Sequence, residues 1–199
     1  EKSDEADGRP LGYLETEFKR LAEIFPDKTL KVLSRVPVWV EWDHAIPAST
    51  TAFGVYYGGA GEGLAMDGVD PRKARCVCLL SLKTAFRLRL SGRSKQMVIL
   101  HELAHAVHDQ ILGSDNAFVR NAYDQAMARG LYEKVRHIDL TLGKGYAATN
   151  DHEYFAELTC AYLDSLNYTP TYRAELKDYD SVGYELMMKV WGTPEQIGR

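Results

Sequence analysis

Residues 101–105 read His-Glu-Leu-Ala-His, inside the segment Lys95-Gln-Met-Val-Ile-Leu-His-Glu-Leu-Ala-His-Ala-Val-His-Asp-Gln-Ile-Leu112. On a helix, His101 and His105 are one turn apart and project from one face, so both imidazoles can close on a single metal ion. Glu102 flanks that face, where a carboxylate can take a proton from a metal-bound water instead of binding the metal. The chemistry this implies is metal-assisted hydrolysis, with Zn2+ as the ion suited to imidazole and carboxylate donors.

The pentapeptide arises by chance often enough that its setting has to support it. Leu100, Leu103, Ala104, Val107 and Ile111 follow the i, i+3, i+4, i+7 spacing of a core stripe, which puts the two histidines at the edge of a buried face. The spacing predicts one helix over 95–112 with Ser94 as its N-cap. The competing reading is a pair of partly buried histidines satisfied by backbone carbonyls.

A catalytic zinc keeps three protein ligands and one open position, so a third ligand is needed. One known pattern demands Gly and His at the positions that here hold His108 and Ile111, and fails. His108 follows His101 by seven residues, or ~10 Å along a straight helix. That separation makes it a packing or rim histidine. A third ligand can instead come from a later helix, and Tyr146-Ala-Ala-Thr-Asn-Asp-His-Glu-Tyr-Phe-Ala-Glu-Leu-Thr-Cys-Ala-Tyr-Leu163 supplies Glu153 and Glu157 on one face. One of the pair would bind metal and the other would accept the free N–H of a ligand histidine. Thr149 or Asn150 can cap this helix, and with Asn150 as cap Glu153 falls at the third position, where it could instead complete a capping box.

His-Glu-Leu-Ala-His-Ala-Val at 101–107, together with the Tyr146 to Glu157 segment, resembles the catalytic domain of anthrax toxin lethal factor and its relatives, which include the Pro-Pro endopeptidases. The shared pattern is a Tyr, a short polar turn, then Glu-aromatic-Phe-Ala-Glu. The resemblance implies a gluzincin-type zinc peptidase in which Glu153 is the third ligand, Glu157 the carboxylate behind a ligand histidine, and Tyr146 the catalytic tyrosine. It also implies an α+β, zincin-like metalloprotease fold, with a small mixed-sheet lobe, a helical lobe, and the HExxH helix lining the cleft. Substrate preference does not carry over, because the loops that set it do not align. A weaker similarity links the chain to bacterial cytosolic peptidases with Tyr-Ala-Ala-Thr before an acidic helix, so the compartment stays open.

With 199 residues, 45% of them apolar and 26% charged, the composition fits one soluble globular unit or two lobes around one cleft. A net charge of −4 and the lack of a Lys/Arg block argue against nucleic acid or an anionic membrane as partner. No apolar run approaches the ~20 residues of a membrane span. The chain starts at Glu1 instead of Met, which fits a trimmed or exported form without excluding the cytoplasm. Cys76, Cys78 and Cys160 lack the spacing of a thiolate metal site and read as buried free thiols.

Residues 1–10 read as a disordered lead-in and 11–199 as a single zincin-like metallopeptidase domain. Leu14, Phe18, Leu21, Ala22 and Phe25 form a helical stripe ending at Pro26, and Val36–Trp42, Thr51–Tyr57 and Ala74–Leu82 read as strands. Gly58–Gly63 has the glycine density of a flexible loop but lacks the strand, helix and Lys-Ser/Thr pair of a phosphate loop. Further helices are predicted over 116–129 and 184–191.

The leading expectation is hydrolysis of peptide bonds in a peptide or protein substrate by a chain favoured as a monomer. Glu102 would act as general base and Tyr146 as hydrogen-bond donor to the developing oxyanion or leaving group. Ala74–Leu82 would be an edge strand that holds the substrate extended, and Gly58–Gly63 a rim or lid. The alternative is a zinc-containing binding or regulatory module with little or no peptidase activity, against which an intact Glu102 argues. A packing protein with coincidental histidines would hold no metal.

Overall fold

The structure, a computed structural model, describes residues 10–43, 53–193 and 196–197. The expected lead-in lies outside the described residues except for Pro10, which opens the first helix. That position suits proline, whose ring fixes a helical φ and whose missing N–H is not needed there. The chain divides into two compact units, Glu1–Gly92 and Arg93–Arg199, which together make a helix-rich α+β structure.

The first unit holds α1 (Pro10–Ile24), α2 (Asp27–Leu33), β1 (Val38–Val40), β2 (Gly54–Tyr56), α3 (Gly61–Met66), β3 (Val77–Leu79) and α4 (Leu82–Leu90). Its sheet runs β1-β3-β2, with β1 parallel and β2 antiparallel to β3. β3 is therefore the central strand and cannot be the substrate-holding edge expected of Ala74–Leu82. Its sequence fits this position: Val77, Cys78 and Leu79 are all buried, and a run without polar alternation suits a strand covered on both faces. α1 also rotates away from its predicted stripe. Glu17, Leu21 and Ile24 are buried while Phe18 is 42% exposed, and Glu17 is paired with Arg20 at 3.3 Å and Arg89 at 3.9 Å. The glycine loop is partly helical, since α3 starts at Gly61, where a Cβ would lie 2.9 Å from the Pro71 carbonyl oxygen. α4 follows directly on β3 because Ser81 Oγ accepts the Thr84 N–H at 3.1 Å and caps it.

The second unit is built around α7 (Asp151–Leu163). α5 (Val98–Val107) continues into a π-helical turn, His108–Gly113, and α6 (Ala117–Ala128), the short β4 (Val135–Arg136) and β5 (Leu142–Gly143), α8 (Arg173–Tyr179) and α9 (Ser181–Trp191) complete it. A 3-10 turn at Tyr146–Ala148 leads into α7. From Tyr154 to Leu163 every residue of α7 is buried, as expected of a helix packed by α5, α6, α8, α9 and that turn. Each of its large apolar side chains contributes about 1.5–3 kcal/mol by leaving water.

Two local details differ from the predicted helix over 95–112. α5 starts three residues later, with Met97 as a cap lacking a side-chain bond. Ser94 does not cap it; its Oγ accepts from Asn167 Nδ2 at 3.1 Å, while Asn167 Oδ1 takes the N–H groups of Lys95 and Gln96 at 2.7 and 3.3 Å. The helix also widens after Val107, and Gly113, with φ 86°, ends the π turn in a conformation that glycine adopts without strain. α7 is fixed to α9 by Asp180, which accepts from Tyr154 Oη at 2.7 Å, Tyr132 Oη at 3.0 Å and Gly183 N at 3.0 Å. Gly183 permits this approach, because a Cβ there would meet Leu158 and come within 2.6 Å of Tyr154 Oη.

Candidate metal centre

α5 and α7 pack against each other inside the second unit and bring together the residues separated by about fifty positions in sequence. His101 Nε2 lies 3.1 Å from His105 Nε2 and 3.1 Å from Glu153 Oε2, and His105 Nε2 lies 3.2 Å from Glu153 Oε2. Three donor atoms thus form a nearly equilateral triangle. A tetrahedral ion with bonds of ~2.0–2.1 Å would hold its donors ~3.3–3.4 Å apart, so the triangle fits such an ion with a few tenths of an ångström of adjustment. Among the described residues this is the group of His, Cys, Asp and Glu side chains able to hold a metal ion.

Asn150 caps α7 by accepting the Glu153 N–H at 2.8 Å, which sets the first turn and aims the Glu153 side chain. A capping box would send that carboxylate back to the cap. Instead Oε2 faces the two imidazoles and Oε1 accepts from Tyr146 Oη at 3.2 Å. Tyr146 is 51% exposed and its ring centroid lies 6.2 Å from that of His101, so its hydroxyl stands beside the triangle.

Behind His101 the arrangement is buried. Glu157, only 2% exposed, places Oε1 2.9 Å from His101 Nδ1. A carboxylate can only accept, so a proton is fixed on Nδ1, and an ion in the triangle would meet the lone pair of Nε2 in place of a second proton. Gln96 Nε2 donates to the same Glu157 oxygen at 2.5 Å, and the buried Tyr168 hydroxyl lies near enough to Glu157 that burial and then this charge raise its pKa. Gln96, Asn167 and Tyr168 were not found by sequence reasoning. Nothing in their spacing marks them, because they reach the site from loops whose course is set by tertiary packing.

The electrostatics match a site for positive charge. Burial disfavours a charged His101, yet the Cys160 thiol and the Glu153 and Glu157 carboxylates outweigh it and raise its pKa well above the ordinary value. Burial likewise opposes ionisation of Glu153, but the imidazoles of His101 and His105 hold its carboxyl well below the usual range. Burial and then the Glu153 charge push the Tyr146 hydroxyl up to about 12, so it stays a proton donor at neutral pH. Glu102 is buried on α5 beside His101. His108 takes no part: it is fully buried and stacks near His152, at 4.6 Å between centroids, and Phe155, at 5.2 Å. The thiols of Cys76, Cys78 and Cys160 are buried, and none of them is in a disulfide.

No family model matches the chain, and no curated protein matches it by sequence. Among solved structures it is similar to the Pro-Pro endopeptidase from Paenibacillus alvei, with a TM-score of 0.54 and 20% identity over 94% of each chain. The fold is that of a Pro-Pro endopeptidase-like structure. At this identity the likeness speaks to the fold alone, and the chemistry rests on the residues just described. None of the helices in the described residues is long and apolar enough to cross a membrane.

Proposed function

We propose that the chain is a zinc-dependent endopeptidase of the gluzincin type, related to the lethal factor and Pro-Pro endopeptidase group, acting on a peptide or protein substrate. The observation that carries this reading is the His101, His105 and Glu153 triangle, with donor atoms 3.1–3.2 Å apart, backed by a buried carboxylate on His101 Nδ1. His101 and His105 as neutral imidazoles and Glu153 as a carboxylate would hold the ion. Bound there, zinc supplies Lewis-acid polarisation and a water of lowered pKa.

The chain's own groups supply the rest. Glu102 accepts a proton from the attacking water and returns it to the leaving amine, a role worth 10²–10⁴-fold. Tyr146, kept protonated by burial and by Glu153, donates a hydrogen bond to the oxygen on which negative charge develops. Glu157 orients His101 and holds a proton on its Nδ1, so that Nε2 is the nitrogen that would bind the ion.

Incubation of the full chain with a peptide library tests the reading. Expected are cleavage that a chelator stops and added zinc restores, and a Glu102→Gln variant that keeps its zinc but is slower by about 10³-fold. Chelator-insensitive cleavage would contradict the zinc mechanism. A zinc-loaded chain that cleaves nothing would favour a binding or regulatory module.

A further inference from the structure

Tyr168 occupies a position that the proposed reaction does not yet use. It is 3% exposed, so its hydroxyl has no water to satisfy it and must find protein partners. A phenol has one proton to give and lone pairs to accept with. A lone pair receives the Ala147 N–H at 2.9 Å, and the proton has Glu157 close by, a carboxylate that can only accept and whose charge, after burial, raises the pKa of the hydroxyl. Glu157 is the group on His101 Nδ1, at 2.9 Å, and Ala147 follows Tyr146 in the same 3-10 turn. One hydroxyl therefore joins the support of a metal-donor imidazole to the backbone that carries the tyrosine beside it.

The surroundings hold this hydroxyl in place. Gly145 donates its N–H to the Tyr132 carbonyl at 2.7 Å, and a Cβ on Gly145 would lie 2.8 Å from Tyr168 Cε2 and 3.2 Å from Val135 Cγ2. The ring is thus packed against the backbone just ahead of Tyr146, with no room for a side chain between them. The neighbouring Asn167 ties down the lead-in to α5 through Lys95 N and Gln96 N. Gln96 donates to Glu157 as well. The segment at 167–168 touches the supports of all three elements that furnish site residues: α5, α7 and the Tyr146 turn.

We propose that Tyr168 is a positioning residue of the site, which through its hydroxyl sets the orientation of His101, by way of Glu157, and the placement of Tyr146, by way of Ala147. This rests on the zinc peptidase reading. It predicts that metal affinity and the catalytic step are coupled through a residue that contacts neither metal nor substrate.

The test uses the full chain and the substitution Tyr168→Phe, which removes one oxygen and keeps the ring. Zinc affinity is measured by chelator competition and ligand-field geometry by the visible spectrum of the cobalt-substituted protein. Expected are zinc binding weaker by about 10-fold, a shifted cobalt spectrum, and a lower kcat with KM within about twofold. In a Glu157→Gln background the same substitution should weaken zinc binding by less than about twofold more, because the two act in series. Should the Phe variant fail to fold, Gly145→Ala, which displaces the Tyr168 ring, is measured instead, with the same weakening expected. Wild-type zinc affinity and cobalt spectrum in the variant would overturn the positioning role while leaving the peptidase reading intact. A wild-type chain that binds no zinc would overturn both, so the two failures are distinguishable.

Discussion

Two histidine pairs lie within one turn of each other, and they behave as opposites. His101 and His105 stand with ring centroids 4.8 Å apart and face carboxylates: Glu153 in front of both and Glu157 behind His101. His108 and His152 are as close, at 4.6 Å, yet both ring nitrogens of the fully buried His108 lack a hydrogen-bond partner among the described residues. Burial, followed by the charge of His152, lowers the His108 pKa to about 4, whereas the pKa of His101 is raised. Residue type and local burial are similar in the two pairs. Glu153 and Glu157 of α7 make one a candidate ion site, whereas at the other the charges of Asp151 and Asp109 are outweighed by burial and His152 and leave His108 a packing element.

Breaking the first pair should have the largest effect. His105→Ala removes one of three donors and is expected to weaken zinc binding by roughly 10³-fold, whereas His108→Phe should change it by less than about twofold; chelator competition measures both. Equal losses in the two variants would erase the distinction. Tyr146→Phe keeps the donor set and removes a hydroxyl beside it, so kcat should fall by about 10²-fold with zinc content unchanged, read by steady-state kinetics and elemental analysis. Glu157→Gln leaves the His101 ring in place but faces Nδ1 with a neutral amide, and zinc affinity should drop by about 10–100-fold.

The smallest effect concerns pH. A His108 that resists protonation when folded, against ~6.5 when unfolded, means that only the unfolded chain gains a proton as pH falls below ~6.5. Stability is therefore lost between pH ~6.5 and about 4, amounting to about 1 kcal/mol by pH ~5.5. His108→Phe should remove that part of the acid sensitivity, so denaturant midpoints of variant and wild type should diverge as pH falls through this window. Parallel curves would show that His108 is not held neutral by its burial.

What could be read in sequence follows the reach of each signal. His101, His105, Glu153 and Glu157 lie on two helices with clear periodicity, so spacing alone placed each pair on one face, and the structure brings those faces together. Spacing leaves Glu153 between ligand and capping box and the resemblance points to ligand; the coordinates add that Asn150 does cap α7 while the Glu153 carboxylate faces the two imidazoles instead of the cap. The α5 boundary was misplaced since Ser94 is a good cap by type but is engaged by Asn167, more than seventy residues on. β3 was taken for an edge because strand order is set by pairing with β1 and β2, which no local pattern reports. Tyr168 left no trace in sequence for the same reason: one hydroxyl bridging two elements has no period.

The central claim is that α5 and α7 together build a zinc site with Glu153 as its third donor. Elemental analysis of protein purified without added metal, comparing wild type with Glu153→Ala and Glu157→Ala, tests it most directly. The account predicts about one zinc per chain in wild type, lost mainly in Glu153→Ala and partly retained in Glu157→Ala. Wild-type protein without zinc, even after supplementation, would contradict it and return His101 and His105 to the role that His108 plays.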